Sequence, residues 1–276
     1  MIEAQRNGSQ IDQTLVKQVV DSLVSLGLDD NDLDKACMHV YREHFELPFL
    51  ETTAAYYTKE SEAFLATNSV SEYMKKAEER LKEEEDRVDR YLNTTTRKEL
   101  IAKCEDVLIT RHSETFVDSF QEFLDYDKEA DLKRMHGLMS RIKDGLEPLR
   151  KKFEEHVKRS GLEAIAKLAQ SADSSDLMDP KAYVDALLEV HQKNALVVSN
   201  CFRGETGFVA SLDKACQDFV NKNMATGGSN QKSPELLAKH TDLLLRKNNK
   251  LAEDNDLEGA LSRVVHQSVF QDRPAC

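Results

Sequence analysis

Backbone breakers are scarce in this sequence: ten glycines and five prolines among 276 residues, and tryptophan is absent. β-Sandwiches, barrels and doubly wound α/β folds use more turn residues and more β-branched or aromatic strand residues than this, so the composition argues against them. Long apolar runs are missing too. Stretches such as Ala195–Val198 cover only a few residues, whereas a membrane-crossing helix needs about 20. The five cysteines, Cys37, Cys104, Cys201, Cys216 and Cys276, stand far apart, odd in number and without a CxxC pair. That spacing fits reduced thiols of the cytoplasm and nucleus rather than a disulfide framework. The opening Met1-Ile2-Glu3-Ala4-Gln5-Arg6 carries neither the apolar stretch of a secretory signal nor a glycine after the methionine, and Cys276 is too close to the end for prenylation. Asn7 and Asn93 begin N-x-[ST] triplets, which are expected to stay unmodified without a secretory route.

What is present is charge and helix-forming residues. Charged residues make up 32% and hydrophobic residues 40% of the chain, with many Leu, Lys, Glu, Asp and Ala. Such a composition is too apolar for disorder throughout and predicts an all-α fold of long amphipathic helices. Fifty acidic against thirty-eight basic residues give a net charge of -12. A surplus of that sign opposes nucleic acid and anionic membranes as partners and leaves other proteins as the expected ones.

The apolar periodicity divides the chain into helices. Ile11, Leu15, Val19 and Leu23 recur every four residues and predict a helix over about Ile11–Leu26, with Gly27 as its C-terminal cap. A second is expected over Leu33–Thr67, kinked or broken by Pro48. Ser69 or Ser71 can cap a third, whose seam runs through Val70, Met74, Ala77, Leu81, Val88 and Leu92. Thirteen of the sixteen residues Lys75–Arg90 on it are charged, seven acidic and six basic. The near balance predicts a solvated face laced with i,i+4 pairs such as Glu78 with Lys82 and Glu83 with Arg87, rather than a docking surface. Asn93-Thr94-Thr95-Thr96 interrupts the pattern. Further helices are expected over about Lys98–Thr110, Glu114–Leu124, Ala130–Lys143, Leu146–Ala172, Phe208–Asn221 and Leu257–Val265. Asp179-Pro180 and Ser233-Pro234 each place a capping side chain before a first-turn proline and open two more, about Pro180–Phe202 and Pro234–Lys247. No segment reads as a strand.

A search for chemistry finds none. A di-iron bundle needs Glu-x-x-His, but no histidine has a glutamate three residues before it, HExxH is absent, and no Cys/His pair has zinc-ligand spacing. Gly204-Glu205-Thr206-Gly207 fits neither GxGxxG nor GxxxxGK[ST] and reads as a helix-opening turn. There is no GxSxG elbow. His136 and His191 are expected as surface or satisfied helix residues, and Cys37, Cys104, Cys201 and Cys216 as small buried thiols. The reading is therefore non-enzymatic, with no catalytic, cofactor-binding or metal-binding residue and no cofactor: a scaffold, adaptor or regulator.

Several segments resemble one family. Phe64-Leu65-Ala66-Thr67-Asn68-Ser69-Val70-Ser71-Glu72-Tyr73-Met74-Lys75-Lys76-Ala77-Glu78-Glu79-Arg80-Leu81 is similar to a helix pair of the cullins, especially of members serving Skp–cullin–F-box ubiquitin ligases. So are Ser140–Leu146, Asp179–Val184, Gly207–Cys216 and Lys232–Ala238, and the matches keep their order over about Ile11–Val265. The resemblance implies an elongated array of stacked five-helix repeats, an α-solenoid-like rod truncated at both ends. Residues 1–94 would be part of the second repeat, 95–224 the third, 225–233 a linker, and 234–276 the first helices of the C-terminal region. It also implies a rigid spacer in protein ubiquitination, with a Skp-type adaptor and F-box protein, a RING subunit and an exchange factor as partners of an intact member. The adaptor-binding and RING-binding parts would lie outside this chain. Repeat faces without a neighbour are expected to favour self-association. The alternative is a free-standing helical tether whose similarity reflects shared helical composition.

Overall fold

The computed structural model describes residues 1–29, 32–171, 179–224 and 232–248. Their order is α1 (Ile2–Arg6), α2 (Gln13–Ser25), β1 (Leu28–Asp29), β2 (Asp32–Ala36), α3 (His39–Tyr41), a π-helical turn (Arg42–Glu46), α4 (Leu47–Leu65) and α5 (Val70–Tyr91). There follow α6 (Arg97–Leu108), α7 (Ser113–Asp125), α8 (Glu129–Met139), α9 (Leu146–Ser171), α10 (Pro180–Cys201), α11 (Thr206–Asn221) and α12 (Lys232–Asn248), with short 3₁₀ turns at Thr94–Thr96 and Thr110–His112. The chain divides into two units: Met1–Ser119 with Arg134–Leu146, and Phe120–Lys133 with the residues from Glu147 onward. Among the described residues no helix is long and apolar enough to cross a membrane.

Caps explain most boundaries. Asp12 accepts from the Leu15 N–H and starts α2. Ser69 and Glu72 form a reciprocal capping box on α5, which settles Ser69 over Ser71. Asp179 accepts from the Lys181 and Ala182 N–H groups with Pro180 in the first turn of α10. Glu205 does the same for α11, accepting from Gly207 and Phe208.

Three expectations about the local structure are corrected. Residues from Leu33 to Ala36 are not helical: β1 and β2 form a short antiparallel ladder, with Leu28 opposite Ala36 and Asp29 opposite Asp32. The sequence Asp29-Asp30-Asn31-Asp32 is poor in helix propensity, against the helix that the apolar spacing suggests. Gly27 is not a left-handed cap either. Its amide bonds to Val24 O, its carbonyl accepts from Cys37 N at 2.8 Å, and a Cβ there would sit 1.8 Å from the Cys37 carbonyl oxygen. Pro48 does not end its helix; it lies in the first turn of α4, directly after the π-helical turn. The missing N–H is harmless there, and the wider turn before it relieves the ring's clash with the preceding carbonyls.

In the first unit, α4 and α6 pack most extensively, α5 lies against both, and α2 lies on α5 and α3. Tyr41, Tyr57, Tyr73, Met74, Leu100, Ile109 and Phe116 are fully buried there. The second unit is built on an aromatic cluster. Phe202 stacks on Phe208 with centroids 4.1 Å apart, Phe153 meets both edge-on at 5.5 and 5.7 Å, and Phe120 lies 6.1 Å from Phe202. Each such pair adds roughly 0.5–1.5 kcal/mol beyond its buried area. α12 starts at Lys232, before the expected cap, and Ser233 is buried with its Oγ 2.9 Å from Tyr183 Oη. Ser233 thus ties α12 to α10 instead of capping, and the last two residues of the expected 225–233 linker are helical. The rest of that linker, the gap after Asn248, the helix near Leu257–Val265 and Cys276 lie outside the described residues.

Gly27→Ala forces a methyl into the Cys37 carbonyl and is expected to destabilise the chain by about 3 kcal/mol. Thermal unfolding monitored by circular dichroism checks this; a melt equal to wild type contradicts the close approach.

Candidate functional site

Among the described residues no three His, Cys, Asp or Glu side chains are grouped so as to hold a metal ion. The isolated histidines are dispersed. His112 Nε2 lies 3.0 Å from Ser61 Oγ with its ring edge-on to Tyr73. His156 Nδ1 is 3.0 Å from Gln121 Nε2 and 3.3 Å from Asp125 Oδ1. His136 is 6% exposed, a core rather than a surface residue. Cys104, Cys201 and Cys216 are buried and Cys37 is half-buried. Burial raises the Cys104 and Cys201 thiols above their ordinary range and pushes Cys216 up to about 12, so these three stay protonated and unreactive at neutral pH.

The Gly204–Gly207 turn is closed to phosphate by its own carboxylate. Glu205 occupies the N–H groups of α11 that an anion would use, and Arg150 grips the same carboxylate through Nε at 3.2 Å and Nη2 at 2.8 Å. A Cβ on Gly207 would meet Arg150 Nε at 2.3 Å, so glycine there lets the guanidinium lie against the helix start. Burial works to raise the Glu205 carboxyl, but the two backbone N–H groups and Arg150 hold it below the ordinary range.

The main concentration of chemistry is a buried polar network on α1, α4 and α5. The α5 seam passes Ala77, Leu81, Val88 and Tyr91, and at the seam position between Leu81 and Val88 stands Glu84, fully buried. Its Oε1 accepts from Arg6 Nε at 2.9 Å, from Tyr57 Oη and from Arg87 Nη1. Arg6 Nη2 donates to Thr53 Oγ1 at 2.8 Å, and the guanidinium carbon lies 5.1–5.5 Å from the ring centroids of Phe49, Tyr56 and Tyr57. Arg87 Nε reaches Gln5 and Tyr91 at 3.1 and 2.9 Å. One carboxylate therefore joins three helices. Desolvation pushes the Glu84 carboxyl up, but Arg6 and Arg87 override it and hold the group below its ordinary value. A second buried set ties the π-helical turn down: Tyr41 Oη lies 2.7 Å from Thr96 Oγ1, which donates to Glu46 Oε1 at 2.6 Å.

The charged stretch of α5 is a solvated face in part, with Lys75, Glu79, Lys82, Asp89 and Arg90 exposed, and departs from it where its charges reach other helices. Arg80 grips Glu60 of α4 through both Nε and Nη2 and also reaches Glu83. Glu78 pairs with Arg134 of α8 at 2.7 Å, and Arg141 bridges Glu85 and Glu105 at 2.9 and 2.7 Å. Cross-helix braces thus stand beside pairs within α5 such as Arg80–Glu83 and Arg90–Asp86, with Arg87 on Glu84 rather than on Glu83. The sequence carried one sign of this. A glutamate at a seam position is out of place unless buried cations meet it, but Arg6, 78 residues away, has no local signature.

The arrangement holds helices in fixed relation. A match to the family model described as the Cullin alpha solenoid domain covers residues 1–270. The chain belongs to the cullin family. It is 46% identical to Cullin-1 of Dictyostelium discoideum over 99% of its length and 36% of that relative's. It is 42% identical to Cullin-1 of Schizosaccharomyces pombe over 92% of its length and 33% of that relative's. To Cullin-3 of Dictyostelium discoideum it is 30% identical over 96% of the chain and 32% of the relative. This cullin chain therefore spans about a third of the length of the relatives it matches, and its fold is the all-α solenoid of the family.

Because the native Glu84 carboxyl is held below its unfolded value, it contributes stability that is present above the ordinary carboxylate range and lost as pH falls through the native value. Glu84→Gln leaves Arg6 and Arg87 without their anion and is expected to cost about 3–5 kcal/mol at pH 7. Urea unfolding of both chains across pH should show the gap shrinking below about pH 4.5; a gap independent of pH contradicts the ionised triad.

Proposed function

We propose that this chain is a non-catalytic spacer segment of a Skp–cullin–F-box type ubiquitin ligase, holding the substrate adaptor apart from the RING-bound conjugating enzyme. The observation that carries the assignment is the 46% identity to Cullin-1 of Dictyostelium discoideum against 30% to Cullin-3 of the same organism, each over nearly the whole chain. The physical role agrees with it. Solenoid repeats contact their neighbours, so a stiff arm fixes the separation of two partners without making or breaking bonds. Ubiquitin transfer then gains from raising the effective concentration of a substrate lysine near the thioester. A spacer needs helices that do not shear, and bidentate and buried cross-helix ties such as Arg80–Glu60 and Glu84–Arg6 resist shear. In this reading residues 1–94 and 95–224 belong to successive repeats, the adaptor, RING subunit and exchange factor are partners of the longer protein, and the chain works in the cytoplasm and nucleus.

Replacing the matching segment of Cullin-1 from Dictyostelium discoideum with this chain should give a protein that recovers adaptor and RING subunit and ubiquitinates an F-box substrate in a reconstituted assay. A chimera that assembles both partners but transfers no ubiquitin contradicts the spacer role. Recovery of the adaptor by the 276-residue chain alone contradicts it as well.

A further inference from the structure

The surroundings of Arg6 are more specific than a stability tie needs. Its guanidinium is enclosed by three aromatic rings, Phe49, Tyr56 and Tyr57, at 5.5, 5.4 and 5.1 Å, while Nε and Nη2 reach an anion and a hydroxyl on different helices, Glu84 and Thr53. A planar, weakly hydrated cation with forked donors satisfies all of these at once; an ammonium, compact and strongly hydrated, does not. Glu84 Oε2 is buried and has no hydrogen-bond partner among the described residues, so the carboxylate retains acceptor capacity inside the pocket. The arginine is the last residue of α1 (Ile2–Arg6). Gly8, at φ 87°, separates α1 from α2 and meets nothing within 4 Å.

We propose that Glu84, Thr53 and the rings of Phe49, Tyr56 and Tyr57 form a guanidinium receptor, filled in cis by Arg6, that latches α1 onto α4 and α5. The ligand class is an arginine side chain or another alkylguanidinium. Gln5, bonded to Arg87 and Tyr91, and Asn7, which accepts from Tyr56 Oη at 2.8 Å, align the segment once Arg6 is seated. Arg6 also lines a groove of about 520 Å³ together with Ile2, Leu15, Val19 and Phe45.

Chemical rescue in the full chain tests the receptor. Arg6→Ala is expected to lower Tm by about 10 °C, and ethylguanidinium at about 10 mM should restore a measurable part of that loss by binding the folded state. Ethylammonium at the same concentration should restore none. Arg6→Lys, which keeps the charge but not the planar fork, should melt between Arg6→Ala and wild type and gives the same comparison where the alanine variant does not fold. Its α1 amides should exchange with deuterium faster than wild type and slow again with ethylguanidinium. Equal rescue by both cations, rescue by neither, or a lysine variant indistinguishable from wild type overturns the proposal.

Discussion

A carboxylate placed inside an apolar seam is the constraint around which the first unit is organised. Glu84 cannot be left alone in that position, since an unpaired buried charge costs several kcal/mol. Two guanidiniums and a phenol therefore converge on one of its oxygens, and they come from α1, α4 and α5. Their convergence fixes the register of those helices in a way that apolar contacts do not, because sliding one helix by a turn keeps hydrophobic surface covered but strands the charges. The exposed ion pairs of the chain carry much less weight. Lys151–Glu147 and Lys133–Glu129 are solvent-screened pairs of the kind worth about 0–1 kcal/mol.

The second unit reaches the same end by different means. Its core is the Phe120, Phe153, Phe202 and Phe208 cluster, and its polar tie, Arg150 on Glu205, is half exposed and works at a helix start. Tyr183 extends this style of construction by joining Ser233 of α12 and Asn223 through one hydroxyl. A cullin segment acting as a spacer needs both: shape-filling rings that exclude water, and directional bonds that forbid slippage.

Local features were legible in the sequence where a local rule decides them. The caps at Ser69 and Asp179, the turn before α11 and the long amphipathic helices α5, α9 and α10 stand as their residues implied. Ordered motif matches also carried the family. What failed did so where long-range structure or a competing local preference outweighed the rule applied. Where the apolar spacing suggests a helix start at Leu33, the chain pairs as a short ladder, and Ser233 reaches the distant Tyr183 hydroxyl instead of capping. The sequence shows the α5 charges as one solvated face because several of their partners, Arg6, Glu60, Arg134 and Arg141, lie on other elements. No i,i+4 rule reaches a partner 78 residues away.

The central claim is that Arg6 and Glu84 stabilise the chain as a pair across helices and not as independent side chains. A double-mutant cycle with Arg6→Ala, Glu84→Ala and the double variant, read as unfolding free energy at pH 7, measures this directly. A coupling energy of about 1–3 kcal/mol is the result predicted, while single-variant losses that add to within about 0.5 kcal/mol would contradict it.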